Sequence, residues 1–464
     1  MLKYIENKEA EEKIAGMNAE QVLSKIAEIK DPVTNMAVGE MISNLKAVVQ
    51  NEKKNVVVSL ANGDIDQMLA CLYQDNAQGV MQGAEVLAKI LGAEKIVLIL
   101  PESLKEQEVE KKFSCHANDK KEYPTEILYG MCSRMSYTTD LLVHPITCVK
   151  CFEALKGENI HKTILYVNGQ APQEVEYGTT FAQIIPEAKA VRIGNQIWGA
   201  EVRTQILDET FPIENGVVET YEEDACIVKE VEAFVGKLRA KCCGKCVFCR
   251  EGLVQIHEGL KDLTAGKAKL TDIELMKELA EIMKQQSNCS LGQTASGMIL
   301  GLQEHFADDI KEHLAGRCHT LTCKALVHYY VDPKMCKGEG HCVDNCPKKA
   351  IDGGKDFVGV IDEFECDKCG KCIDVCANGA IKCVTGRLPK LPDEPIALKK
   401  SKDTSETQER KTRKRVKPKA LLYKKKVSGF TEDFNNQTVK VKGNLPMKEM
   451  NADVIIVAAG PAGL

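Results

Sequence analysis

No stretch of the 464-residue chain approaches the roughly 20 consecutive apolar residues a membrane-spanning helix needs, and no leader of the secretory type opens it. No membrane association is expected. Also missing is any convincing general base or nucleophile. The first 240 residues contain only six cysteines, whereas fifteen fall between 242 and 383, which divides the chain into a scaffold half and a redox half. Twenty-one cysteines without a leader point to a reducing, cytoplasmic compartment, where thiols hold metal rather than form disulfides.

The formal charge is only -5, but it is uneven. Residues 399 to 426 hold thirteen Lys or Arg against three Asp or Glu, a net +10 that leaves -15 on the rest. A low-hydrophobicity run of this kind reads as a solvated linker resting on an acidic neighbour, and no nucleic-acid partner is expected. At about 150 residues per domain, the length corresponds to three or so compact units.

Along the first half, "KNVVVSL" is a short β-branched strand, Ile65 to Ala93 has helical spacing, and "KIVLILP" is a strand ended by Pro101. Strand, helix, strand is an α/β unit. From about 161 to 220, short β-like pieces punctuated by Gly and Pro predict a small β-rich domain of ubiquitin-like size. Residues 226 to 316 turn helical. There Ile273, Leu275, Met276, Leu279, Ile282 and Met283 are expected to form one buried face.

Cys243, Cys246 and Cys249 form CxxCxxC, and Cys289 follows in "NCSLG". Three close thiolates can wrap one side of a cubane while a distant one closes the other, so a 4Fe-4S cluster is expected rather than zinc. Two further runs follow. "CDKCGKCIDVC" supplies Cys366, Cys369, Cys372 and Cys376, and "CKGEGHCVDNC" supplies Cys336, Cys342 and Cys346, with Glu339 where a second thiolate belongs.

In two-cluster ferredoxins the fourth cysteine of each run ligates the other cluster. Cys346, Cys366, Cys369 and Cys372 would then hold a complete 4Fe-4S cluster, and Cys336, Glu339, Cys342 and Cys376 a 4Fe-4S or 3Fe-4S cluster. Three states of that corner stay open: ligation through the Glu339 carboxylate, a vacant corner, or a cap from water or a partner. A decayed site remains the fourth. His313, Cys318 and Cys323 could bind zinc with a fourth ligand from elsewhere, two packed thiols being the alternative. The isolated pair Cys148 and Cys151, with Cys115 and Cys132 upstream, reads as buried or idle cysteine, and Cys71, Cys226, Cys242 and Cys383 as core or unassigned.

The motif "CCGKCVFCREG" with "NCSLG" resembles the cluster domain of the NADH-binding flavoprotein subunit of complex I and of electron-bifurcating hydrogenases, the NuoF/HydB-like family. The similarity extends from about residue 17 to 326 and implies α/β and α+β multidomain architecture with a soluble-ligand-binding β-grasp (SLBB-like). "IKDPVTNMAVGEMISN" has one glycine where the family has a glycine-rich flavin loop, and "DKKEYPTEILYGMCSRMSY" lacks the family's paired acidic residues. The expectation is therefore a remnant that binds neither FMN nor NADH.

The closing "NADVIIVAAGPAGL" resembles the opening of an FAD-binding domain of the glutamate synthase small-subunit type, with Gly460 and Gly463 in the turn and Ala458 in place of the first glycine. FAD is expected only if the chain continues beyond Leu464. The layout is then 1-160 flavin-domain remnant, 161-222 β-grasp, 223-326 helical bundle, 327-390 two-cluster ferredoxin, 391-450 basic linker and 451-464 start of a Rossmann-type domain.

Together these pieces resemble a subunit of a Stn-type NAD(P)-ferredoxin transhydrogenase. The resemblance implies an oxidoreductase subunit with three iron-sulfur clusters, passing electrons between flavin sites. Implied partners are NuoF/HydB-like and NuoE/HydC-like flavin and iron-sulfur subunits and a ferredoxin, in a hetero-oligomer. Two rivals stay open: a structural adaptor that docks a catalytic homologue, and a subunit of a bifurcating hydrogenase or formate dehydrogenase.

Overall fold

The computed structural model describes residues 16-32, 34-48, 54-60, 66-104, 113-118, 140-244, 246-287 and 290-398. Cys132, Cys289, the basic run and the Gly460-Gly463 turn lie outside the described residues. All the described residues belong to one compact unit. Among the described residues no helix is long and apolar enough to cross a membrane.

The first described elements are helices α1 (Ala19–Ile26) and α2 (Val38–Val48), followed by β1 (Asn55–Ser59), the long α3 (Met68–Leu91), β2 (Lys95–Pro101), β3 (Phe113–Asn118), β4 (Asp140–Val143) and α4 (Pro145–Lys156). The strands form an all-parallel sheet in the order β3-β2-β1-β4. Val56, Val57, Val58, Leu98 and Ile99 are buried, as a parallel strand covered on both faces requires.

Helices α3 and α4 meet at Gly83, where a methyl group would lie 1.9 Å from the Cys148 carbonyl oxygen. Cys148 and Cys151 are fully buried on α4, and burial pushes both thiols up. They are packing residues of this core.

Next come β5 (Lys162–Val167), β6 (Gln173–Glu176), a short α5 (Phe181–Ile184), β7 (Ala190–Ile193), β8 (Gln196–Gly199) and β9 (Val217–Tyr221). Their sheet has the order β6-β5-β9-β7-β8, with β5 and β9 parallel and the other pairs antiparallel. Phe181, Leu165, Val191, Val202 and Leu207 fill its core.

Helices α6 (Ile227–Lys241), α7 (Val247–Thr264), α8 (Leu270–Gln286), α9 (Ser290–His305) and α10 (Ala307–Leu314) form the bundle. Helix α9 presses on the β7-β8 hairpin through Gly301, where a methyl group would come within 2.3 Å of the Ile197 carbonyl oxygen.

The buried face of α8 is narrower than its apolar run suggests. Ile273, Met276 and Met283 are buried with Ala280, but Leu275 and Ile282 stand 43% and 40% exposed, which corrects the expectation for those two. At about 100° per residue, positions 273, 276, 280 and 283 share one face while 275 and 282 fall outside it.

The last part contains β10 (Val327–Val331), α11 (His341–Asp344), β11 (Ile351–Asp352), β12 (Phe357–Val358), β13 (Val360–Ile361), α12 (Lys371–Asp374), β14 (Ile381–Thr385) and β15 (Ile396–Ala397). β10 pairs with β14, β11 with β13 and β12 with β15, all antiparallel. β15 thus lies beyond residue 390, where the sequence predicts a linker.

Candidate iron-sulfur and metal centres

The segment from 327 to 385 is an internal duplication with a 30-residue offset. Asp332 N donates to the Ala380 carbonyl at 2.7 Å, and Asp362 N donates to the Ala350 carbonyl at the same distance. Cys336 N and Cys366 N each donate to the aspartate carbonyl four residues earlier at 3.0 Å. Gly340 and Gly370 hold φ of +84° and +81°, a left-handed turn that glycine adopts without strain, and each opens a one-turn helix. Ala350 N and Ala380 N point at Cys346 Sγ and Cys376 Sγ at 3.3 and 3.2 Å. In this frame Glu339 is the counterpart of Cys369.

The duplication swaps the last cysteine of each run. One cavity is lined by Cys336, Glu339, His341, Cys342 and Cys376. Another is lined by Cys346, Cys366, Cys369 and Cys372. Burial raises the Cys342 thiol, helped by Cys336 and by Cys376 from the other run. Burial likewise raises Cys366, with Cys346 adding to it, and pushes Cys372 up to about 11. Thiols crowded this way resist ionisation together unless a cation neutralises them, so both donor sets fit an iron-sulfur cluster. Backbone N–H groups directed at sulfur, including Lys368 N to Cys366 Sγ at 3.4 Å, suit thiolate ligands.

The first cavity differs from the second in more than Glu339. The loop at 353-358, tied down by β15, closes over it: Asp356 N donates to the Gly338 carbonyl at 2.7 Å, and Leu398 N to the Asp356 carbonyl at 2.9 Å. A side chain at Gly338 would strike Phe357 N and the Leu398 side chain at under 3 Å. His341, which no spacing rule marks in the sequence, lines the same cavity two residues from Glu339. Glu339 and His341 thus both line the cavity that has the odd corner.

In the bundle, Cys246 is the N-cap of α7 and Cys249 is buried in its first turn. Arg250 Nη1 donates to the Gly244 carbonyl at 3.0 Å and holds the preceding loop. Cys289 lies outside the described residues, and Gly292 is the neighbour of it that lies against Cys249. A methyl group at Gly292 would press on Ser287 Oγ at 2.1 Å and on Cys249 Cβ at 3.4 Å. Cys242 Sγ is 3.8 Å from Cys249 Sγ. Hydrogen bonding with Cys249, then the Gly244 amide and the Arg250 charge, lower the Cys242 thiol to about 6 against the effect of burial.

The fourth donor that His313, Cys318 and Cys323 lacked in the sequence is Cys226. Ligand atoms of the four lie within 4.8 Å of one another, and all four residues are buried. Cys226 Sγ is 3.3 Å from His313 Nε2 and 3.6 Å from Cys323 Sγ. His313 Nδ1 donates to the Asp309 carbonyl at 2.7 Å, which leaves Nε2 facing the sulfurs. Burial pulls the imidazole down, but hydrogen bonds to Cys226 and Cys318 outweigh it and push it up to about 10. Hydrogen bonding from Cys226 and Cys323 drives the Cys318 thiol well below its ordinary value. Three thiols and one imidazole in a closed, dry cage fit a structural tetrahedral zinc site. The cage also joins two parts: Cys318 N donates to Thr385 Oγ1 at 2.8 Å, and Thr385 Oγ1 to the Leu326 carbonyl at 2.9 Å.

At the glycine-poor loop after α1, Asp31 is buried. Its Oδ2 accepts from His144 N and Thr147 Oγ1, both at 3.0 Å, and its Oδ1 from Thr34 N at 3.1 Å. A carboxylate of the chain itself therefore occupies the start of α4, the kind of helix terminus that would attract a phosphate.

These centres define a cysteine-rich, cluster-type protein. Residues 229–313, which include Cys243, Cys246, Cys249 and Cys289, match the iron-sulfur binding region of NADH-ubiquinone oxidoreductase-F. The NADP-reducing hydrogenase subunit HndC of Solidesulfovibrio fructosivorans is 32% identical over 225 residues, 46% of this chain and 44% of that protein. The NuoF subunit of the Streptomyces coelicolor NADH-quinone oxidoreductase is 25% identical over 183 residues, 36% of this chain and 41% of that protein. The chain spans less than half the length of these relatives. In fold it resembles an NAD+-reducing [NiFe]-hydrogenase solved in the H2-reduced state, at TM-score 0.51 and 16% identity over 66% of this chain and 64% of that one. Over part of its length the chain is thus similar to these oxidoreductase subunits, and residues 229–313 carry their iron-sulfur binding region.

Proposed function

We propose that the chain is an iron-sulfur electron-transfer subunit of an oxidoreductase complex that exchanges electrons among NAD(P)H, flavin and ferredoxin. The observation that carries this reading is the crosswise sharing of Cys346 and Cys376 between two thiol-lined cavities. Three clusters are proposed: one on Cys243, Cys246, Cys249 and Cys289, one on Cys346, Cys366, Cys369 and Cys372, and one on Cys336, Cys342 and Cys376 with Glu339 at its corner. Clusters of this kind supply one-electron transfer at potentials between roughly -700 and +450 mV. The chain's own residues fix the order of the sites, shield them from water and direct N–H groups at sulfur. Zinc on Cys226, His313, Cys318 and Cys323 is proposed as a structural ion.

The Asp31 carboxylate at the start of α4 supports a first domain that serves as scaffold without FMN. The strand order β6-β5-β9-β7-β8 supports the β-grasp reading of residues 161-222. Transhydrogenation, bifurcation and an FAD domain after Gly460 and Gly463 belong to the same reading. The adaptor alternative makes the opposite prediction about electrons. Anaerobic purification followed by iron, sulfide and zinc analysis and electron paramagnetic resonance tests the first reading, which a colourless, sulfide-free protein would end. Within the assembled complex, rapid reduction of the clusters by NADH or NADPH supports transfer, and none supports an adaptor.

A further inference from the structure

Phe364 is 91% exposed, the most exposed of the large apolar side chains among the described residues. The backbone beneath it is held firmly. Its own N–H donates to Asp362 Oδ1 at 2.9 Å, Cys366 N donates to the Asp362 carbonyl at 3.0 Å, and the neighbouring Glu363 carboxylate meets His328 Nδ1. The ring itself is turned to solvent.

The internal duplication supplies a control for what this turn requires. The same turn recurs 30 residues earlier, where Lys334 N donates to Asp332 Oδ1 at 2.9 Å, and there a lysine stands in place of the phenylalanine. The turn therefore folds without an aromatic, and Phe364 has no role in it that a polar residue does not fill in the other copy. Single exposed apolar residues are ordinary on a protein surface, so the surroundings must decide.

Those surroundings are acidic. Asp362, Glu363, Glu365 and Asp367 flank Phe364 with no cation among residues 362-367, whereas the matching stretch 332-337 carries Lys334 and Lys337 against Asp332 alone. Two halves with one backbone plan thus present opposite charge. The acidic half also contains Cys369, the one exposed cysteine of its cavity.

We propose that Phe364 and the carboxylates Glu363, Glu365 and Asp367 form a docking surface for a basic one-electron carrier protein, the ring entering an apolar recess of that partner. An apolar anchor inside a charged rim is the usual anatomy of a transient interface, with the charges setting encounter rate and the anchor setting lifetime. As a path for electrons this rests on the electron-transfer reading above, because one electron would leave this chain and reduce the carrier with no bond made or broken. As a binding surface it stands on its own.

The test uses the full chain, purified anaerobically, with cytochrome c as the basic probe and a flavodoxin as the acidic one. Binding at low salt is measured by calorimetry, and electron transfer from the dithionite-reduced chain by stopped flow. Phe364→Ala should weaken cytochrome c binding about fivefold or more, and Glu365→Lys tenfold or more, each with unchanged iron content and resonance spectrum. Rising salt should weaken binding for the unaltered chain and less so for Glu365→Lys. Lys334→Ala, on the opposite half, should change neither. Equal affinity in Phe364→Ala, Phe364→Ser and Glu365→Lys, or stronger binding of flavodoxin than of cytochrome c, overturns the proposal. If binding behaves as expected while the protein holds no iron, the surface stands and the electron-transfer reading fails.

Discussion

Cys226 Sγ and His313 Nε2 lie 3.3 Å apart although 87 positions separate them in the chain. One residue is the N-cap of α6 and the other lies in the last turn of α10, so their meeting depends on the whole bundle being assembled. With Cys318 and Cys323 they close a cage between the bundle and the duplicated segment. On the zinc proposal, Cys226→Ala is expected to hold less zinc than the unaltered chain and to unfold several degrees lower, because a structural zinc ion contributes folding energy directly. Metal analysis beside a thermal melt checks this. Zinc retained at one per chain in that variant would remove Cys226 from the site.

Glu339→Cys restores the thiolate that Cys369 supplies in the second copy. Carboxylate is a harder ligand than thiolate, so the natural corner should release iron more readily. The variant is expected to hold about one more iron per chain after aerobic handling and to lose any three-iron resonance shown by the unaltered protein. If Glu339→Cys and the natural protein match in iron content and spectrum, while His341→Ala changes both, the imidazole is the ligand instead.

How far the sequence revealed these sites followed the range of the interactions. Ligands of one cluster run, such as Cys366, Cys369, Cys372 and Cys376, were visible as local spacing, and the misfit of Glu339 stood out for the same reason. Cys226 reads only as core or unassigned in the sequence because its partner His313 lies 87 positions away, and nothing near it marks a ligand. The α8 face is half legible: the run of apolar residues is plain, but hydrophobicity alone includes Leu275 and Ile282, which the helical angle places outside the buried face. At the loop near Asp31, the shortage of glycine was readable. The carboxylate that replaces an outside anion there was not, since its partners His144 and Thr147 come from a distant helix.

Gly83→Ala should destabilise the first domain although alanine favours a helix over glycine by about 1 kcal/mol. The added methyl group meets the Cys148 carbonyl oxygen at 1.9 Å, in backbone that cannot step aside without parting α3 from α4. Overpacking costs roughly 1–3 kcal/mol, and a clash this close to backbone belongs at the upper end, so after the helix gain a net loss of about 2 kcal/mol in denaturant unfolding is expected. A neutral or stabilising outcome would mean that the two helices are not in contact here.

His144 makes the same domain sensitive to acid. Its Nδ1 accepts from Ile146 N at 3.3 Å and caps α4, which requires the neutral ring. Burial lowers its pKa from 6.5 to about 4, the Asp31 charge opposing this and Lys150 reinforcing it. Because the unfolded chain takes up the proton first, the contribution is complete above pH 6.5 and disappears as pH falls towards 4, a change of about 3 kcal/mol at most. Amide exchange in α3 and α4 reports on this domain without interference from the cysteine sites. Protection there should fall between pH 6.5 and 4.5 in the natural protein. His144→Asn keeps a capping oxygen and removes the titration, so its protection should stay flat across that window. An equally steep fall in both proteins would assign the acid sensitivity to another group.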